Sequence, residues 1–153
     1  TEIKRISASE KQNIILTVGR LGTKPKATEC LVDAFVTARK RIPTWVLHLV
    51  GPCEKWFEQY VDKLMKEFPD LKDRIVLKGP INDIAVLNEE YKEAKVFCLP
   101  SRWESFGIVN VEALSLGCYL LLSDQIPPAR RRALPVPPRS YRAASRQSPA
   151  FRG

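Results

Sequence analysis

The sequence predicts an α/β protein: an open parallel sheet with helices on both faces. Three observations predict it. Short, uninterrupted apolar runs alternate along the chain with longer segments whose apolar residues recur at helical spacing. Glycine or proline closes most of these segments. The chain of 153 residues, 44% hydrophobic and 27% charged, has material for one domain with a real core and too little for two of ordinary size.

Taken in order, Ile14 to Val18 is an apolar run closed by Gly19, as expected of a strand buried on both faces. Leu31, Phe35, Ala38 and Ile42 then mark a helix that Pro43 stops. Trp45 to Val50 is a second strand ended by Gly51-Pro52, and Phe57, Val61, Leu64 and Phe68 stripe a second helix ended by Pro69. A third strand, Ile75 to Leu77, precedes Gly79-Pro80. Ile84, Leu87, Tyr91 and Ala94 mark a third helix, and Lys95 to Leu99 is a fourth strand. Gly107 to Leu116 is a fourth helix and Tyr119 to Leu122 a fifth strand. Strict alternation of strand and helix favours a parallel sheet with right-handed crossovers.

The charge divides the chain. Residues 1–124 carry 18 Lys plus Arg against 17 Asp plus Glu, whereas residues 125–153 carry seven Arg and no acid. The net charge of +8 therefore belongs to the tail, and a nearly neutral body argues against a nucleic-acid partner. That tail also holds six of the 12 prolines and no lysine, a composition that buries little apolar surface and is expected to be disordered or non-native. Residues 1–12 are polar, have no apolar signal-peptide core, and read as a linker from an N-terminal domain. No apolar run is long enough to span a bilayer. Four dispersed cysteines form no C-x-x-C pair and read as buried reduced thiols, so the expected compartment is cytoplasmic. With one histidine and no D-x-D pair, no metal site is expected.

Ligands of open parallel sheets collect at the carboxyl ends of the strands, so the loops there are the place to look for chemistry. The first, Gly19-Arg20-Leu21-Gly22-Thr23-Lys24-Pro25-Lys26, holds three cations ahead of a helix starting near Thr28, a combination suited to an anion. It matches neither the dinucleotide fingerprint nor the Walker loop. The fourth loop, Pro100 to Gly107, places Glu104 beside Ser105, a plausible helix cap, with the amides from Phe106 onward facing any bound anion.

Glu112 is oddly placed. It lies one helical turn from both Ile108 and Leu116, flanked by Val109 and Val111, where a carboxylate is costly without a donor. Ligand hydroxyls would supply donors; a neighbouring arginine or water would serve as well. His48, in an apolar strand, reads as a satisfied core histidine, and Trp45 and Trp56 as core or its rim. Trp103 lies in the ligand-facing fourth loop.

Together these residues resemble the C-terminal donor domain of the retaining glycosyltransferases of group 1, or family 4, which is one half of a GT-B fold and Rossmann-like. The resemblance covers residues 13–124. It rests on V-G-R-L-G-T followed by Lys26, on L-V-G after the second strand, on V-L-K-G at the third, and above all on P-S-R-W-E-S-F-G-I-V-N-V-E-A-L-S-L-G. It implies a nucleotide-sugar donor (UDP-, GDP- or ADP-linked), no cofactor, and sugar transfer with retention and without a metal. Arg20 and Lys26 would hold the diphosphate. Glu104, the implied catalytic residue, would contact the transferred sugar, with Ser105, Phe106, Gly107 and Ile108 against the distal phosphate. Glu112 would take the ribose hydroxyls, and backbone at Lys78 and Gly79 would read the base. The acceptor would bind through an N-terminal domain, and any peripheral membrane contact would come only through the parent protein. A non-catalytic module for a phosphorylated ligand or a protein partner is the alternative. Three departures from the family pattern stand out: Tyr119 where proline is common, Ala27 after Lys26, and the Arg-Pro tail where a further strand and helices are usual.

Overall fold

A computed structural model describes residues 8–102 and 108–123. Five strands form one parallel sheet: β1 (Gln12–Val18), β2 (Val46–Val50), β3 (Ile75–Gly79), β4 (Ala94–Leu99) and β5 (Tyr119–Leu122). Their order is β3-β2-β1-β4-β5. The chain thus reverses direction across the sheet between β1 and β4, and there the carboxyl edge opens a crevice. The connecting helices are α1 (Thr28–Ala38), α2 (Lys55–Glu67), α3 (Ile84–Glu93) and α4 (Ile108–Ser115). The predicted fold class holds, and each predicted strand and helix is present, β5 with the predicted bounds and the others with shifted ends.

The apolar strands serve two cores because alternate residues face opposite sides. On one face Leu47, Leu49 and Ile75 pack with Leu31, Val32 and Phe35 of α1 and Phe57 and Val61 of α2. On the other, Ile14, Leu16, Phe97, Leu99 and Leu120 pack with Tyr91 of α3 and Ala113 of α4. Phe57, Val61, Leu16 and Phe97 are wholly buried, each contributing about 1.5–3 kcal/mol of hydrophobic stabilisation.

The element ends differ from the sequence pattern for identifiable reasons. The first helix stops at Ala38 rather than near Pro43, because the Arg74 guanidinium meets the carbonyls of Arg39, Ile42 and Trp45 and supports a turn there. Ile84 opens α3 at the carboxyl edge and is 75% exposed, so it is not part of the helix's buried stripe. Helix α4 ends in a Schellman motif: Gly117 (φ +82°) donates to Leu114 O at 3.0 Å and Cys118 to Ala113 O at 2.9 Å. Tyr119 leaves the following turn intact, since β5 begins at that residue, paired with Val96. Cys53 is exposed rather than buried, while Cys30, Cys98 and Cys118 are buried; all four are free.

Residues 8–12, which the sequence assigns to the linker, are structured. Ala8–Glu10 forms a 3-10 turn, Gln12 opens β1, and Lys11 between them is 5% exposed. Its ammonium donates to the carbonyls of Tyr91, Lys92, Ala94 and Leu116 at 2.8–3.1 Å, where α3 and α4 end. Cations suit such ends because the helix carbonyls there are unpaired and the dipole is negative. Burial nevertheless pushes the Lys11 ammonium below the usual lysine range, against a smaller opposing influence from Cys118. The tail, residues 125–153, lies outside the described residues.

Lys11→Met keeps the aliphatic stem and removes the ammonium from four carbonyls, of which Tyr91 O and Ala94 O keep only the Cys118 thiol. We expect it to cost about 2–4 kcal/mol, read as a lower denaturation midpoint in urea. An unchanged midpoint would mean that these carbonyls are satisfied without the ammonium.

Candidate functional site

The carboxyl edge is assembled by loops that hold one another. After β1, Gly19 N donates to Val50 O at 2.9 Å, and Gly51 N to Gly79 O at 2.9 Å, so the backbones leaving β1, β2 and β3 are joined side by side. The approach is too close for a side chain: a Cβ on Gly51, whose φ is +140°, would lie 1.8 Å from Gly19 O. Leu21 then forms a parallel bridge with Cys53, through Leu21 N to Pro52 O and Glu54 N to Leu21 O. Leu21 is fully buried, so the loop carrying Arg20 and Lys26 is seated on the β2–α2 connection rather than free in solvent.

Its other side is fastened to the loop after β4. Arg102 N donates to Pro25 O, its guanidinium donates to Lys24 O at 2.8 Å, and it pairs with Glu29 of α1 at 3.2 Å. Arg102 therefore spans the crevice between β1 and β4. The helix that follows, α1, takes Ala27 as its N-cap in a left-handed conformation, without a side-chain cap. Thr28 Oγ1 instead accepts from Gly22 N at 2.8 Å.

Of the predicted site residues, Arg20 is exposed on this loop. The Lys26 stem lies over Gly19, with Cε 3.7 Å from where a Cβ would stand, so this lysine sits directly above the end of β1. Gly79 ends β3, and Lys78 beside it turns its ammonium to Glu90 of α3 at 2.5 Å. Ile108 opens α4 and is 59% exposed. Glu104, Ser105, Phe106 and Gly107 lie outside the described residues, as does Trp103. The carboxyl edge thus gathers Arg20, Lys26, Gly79 and Ile108, while Glu112 sits one turn into α4.

Glu112 has a partner that the sequence pattern missed. Among the described residues it is Tyr91 of α3, whose hydroxyl donates to Glu112 Oε2 at 3.2 Å. Tyr91 is fully buried and its ring packs on Phe97 with centroids 5.7 Å apart. Burial, then the neighbouring Glu112 carboxylate, pushes the Tyr91 phenol well above its usual range, so it is a neutral donor. Twenty-one residues and a strand separate the pair in sequence, so no local spacing signals it. Arg102 was equally hidden. Ser101 Oγ and Asn110 Oδ1 near the same loop are buried without a partner among the described residues.

His48 is a satisfied histidine, as its setting predicted: Nδ1 lies 3.1 Å from Glu90 Oε2. Trp56 belongs to the rim, 47% exposed with its indole donating to Gly22 O. Among the described residues no cluster of His, Cys, Asp or Glu could hold a metal ion. No helix among them is long and apolar enough to cross a membrane.

With this geometry in place, the relatives are informative. The family model of the glycosyl transferases group 1 matches residues 1–132, and the chain belongs to that family. It is 32% identical over 109 residues to mannosylfructose-phosphate synthase of Agrobacterium fabrum, covering 68% of this chain and 24% of that protein. In structure it resembles the pneumococcal O-GlcNAc transferase GtfA in complex with UDP and GlcNAc, with a TM-score of 0.64 and 25% identity over 76% of this chain and 22% of that one. It also resembles the C-terminal domain of a glycosyl transferase group 1 family protein (LpcC) from Francisella tularensis. There the TM-score is 0.62 at 16% identity, over 93% of this chain and 84% of that domain. The chain spans only 24% and 29% of the length of two of the curated relatives it matches.

Glu90 makes the clearest pH prediction. Burial opposes its charge, but hydrogen bonds and charge from Lys78 and His48 outweigh it and hold the carboxyl below the usual 4.5. A depressed carboxylate pKa stabilises the fold above the unfolded value, and that stability is lost as pH falls through the folded value. Glu90→Gln is therefore expected to flatten the fall of melting temperature below about pH 4.5. A slope equal to that of the parent protein would place the acid sensitivity elsewhere.

Proposed function

We propose that this chain is the nucleotide-sugar-binding half of a glycosyltransferase, acting by retention and without a metal. The observation that carries the reading is the built carboxyl edge. Two basic side chains, Arg20 and Lys26, occupy a loop seated on the sheet beside a helix start, and one carboxylate, Glu112, waits in the next layer. Family membership and the resemblance to a UDP complex support it.

In this reading Arg20 and Lys26 bind the donor's diphosphate and oppose the charge that builds on it as the sugar leaves. Glu112 accepts from the ribose hydroxyls, and backbone at Lys78 and Gly79 reads the base. Glu104 contacts the transferred sugar as the catalytic residue, with Ser105, Phe106, Gly107 and Ile108 against the distal phosphate. The acceptor is recognised in the part of the relatives' length that this chain does not span. These 153 residues alone are expected to bind donor without transferring sugar, because transfer needs donor and acceptor held together.

The reading is tested by titration calorimetry, after a thermal-shift screen of UDP, GDP and ADP selects the preferred nucleotide. Glu112→Gln keeps an acceptor for Tyr91, so stability should hold, while nucleotide binding weakens by about 1–3 kcal/mol. Inorganic pyrophosphate, which has no ribose, should be affected far less. Arg20→Ala should weaken both ligands alike. If Glu112→Gln unfolds the protein, or lowers pyrophosphate binding as much as nucleotide binding, Glu112 is a structural residue and the ribose assignment fails.

A further inference from the structure

The geometry points to Tyr91 as a positioning residue that fixes the Glu112 carboxylate for a vicinal diol. This inference rests on the reading of Glu112 as the ribose acceptor.

Tyr91 is poorly explained as core filling alone. Its ring is wholly buried against Phe97, yet a phenylalanine would fill that space without bringing a hydroxyl into an apolar core. A buried phenol needs a hydrogen-bond partner, and among the described residues it has Glu112 Oε2. The other carboxylate oxygen has no partner among the described residues, and Glu112 is only half-buried. One oxygen is thus held from beneath while the second remains available.

The rest of Tyr91 is equally constrained. Its carbonyl accepts from the Lys11 ammonium at 2.9 Å and from the Cys118 thiol at 3.0 Å. The same ammonium holds Leu116 O, just past the end of α4 and one turn beyond Glu112. Tyr91 is therefore fixed relative to α4 at its backbone as well as its hydroxyl. A carboxylate on a three-bond side chain at a half-exposed helix position samples several rotamers unless something selects one. The Tyr91 hydroxyl makes that selection before a ligand arrives, so less side-chain entropy is lost on binding.

A neutral donor suits this task better than a cation. An arginine or lysine would compete with ligand hydroxyls for both oxygens and hold them more strongly. The phenol occupies one lone-pair direction and leaves the other carboxylate oxygen to the diol.

The experiment compares the preferred nucleoside diphosphate with its 2′,3′-dideoxy analogue, on the full chain, in the parent protein, Tyr91→Phe, Glu112→Gln and the double variant. The parent should favour the diol ligand, and Tyr91→Phe should narrow that preference about three- to tenfold while binding the dideoxy ligand and pyrophosphate as before. In the double variant, Tyr91→Phe should add nothing further, because both changes remove one interaction. If the parent does not distinguish the ligands, or Glu112→Gln leaves the preference intact, the ribose reading itself has failed. If Glu112→Gln abolishes the preference but Tyr91→Phe retains it in full, the positioning role alone is overturned. Unfolding of Tyr91→Phe would also overturn it, by showing that the hydroxyl holds the fold rather than the carboxylate.

Discussion

The Lys11 ammonium is the constraint to which the other parts of this structure refer. It sits at the amino edge of the sheet, nearly buried, and serves carbonyls from the ends of both helices on one face. Desolvating a lysine is unfavourable, and burial does lower the proton affinity of this one. What offsets the cost is that helix ends leave carbonyls unpaired, and two such ends converge here. The Cys118 thiol joins the cluster, donating to Tyr91 O and Ala94 O. Its own pKa is pushed up to about 11 by burial, with Lys11 pulling weakly the other way, so it remains a neutral donor. A single charged group thereby sets α3 against α4 far from the edge where ligands would bind.

The opposite edge is organised by backbone rather than by charge. Gly51 lets the exits of β1 and β2 touch, the Leu21–Cys53 bridge continues that contact, and Arg102 closes it from the β4 side. The basic loop is thus positioned by the protein itself, which would lower the ordering cost of binding an anion there. Glu29 links this clamp to α1, pairing through Oε1 while its Oε2 is buried without a partner among the described residues. The two edges act on different helices: Arg102 and Glu29 fix α1 under the loop, and Lys11 fixes α3 and α4 under Glu112.

The sequence made the architecture legible because that architecture depends on period. Ile14 to Val18 and Val96 to Leu99 are largely apolar runs, as strands buried on two faces must be, and both belong to inner strands. The loops at the carboxyl edge followed from topology, and the oddity of Glu112 followed from the helical wheel. Its partner did not follow. Tyr91 looked like one more core residue on a third helix, and only the packing of α3 against α4 brings its hydroxyl to the carboxylate. Lys11 reads as linker because it closes a polar, charged stretch with no apolar core, and no local pattern marks the two helix ends that receive it. Arg102 falls in the same class: its acceptors lie 73 and 78 residues away. Periodic features show in sequence; polar contacts between distant elements do not.

Those polar contacts also explain how an acidic side chain can be kept in a partly apolar helix without unsettling the fold. Val111 beside Glu112 is 63% exposed and Glu112 only half-buried, so the carboxylate is neither cut off from solvent nor, with one protein donor among the described residues, fully paired. The Tyr91 hydroxyl keeps it between these limits, giving Glu112 one hydrogen bond from a neutral group. The hydroxyl can do so only while α3 and α4 keep their spacing. The Lys11 ammonium, whose four acceptors include Tyr91 itself, maintains that spacing from the far end of the helices. The half-satisfied state of Glu112 is thus a consequence of how the two helices are joined, and its local sequence is the lesser part of the cause.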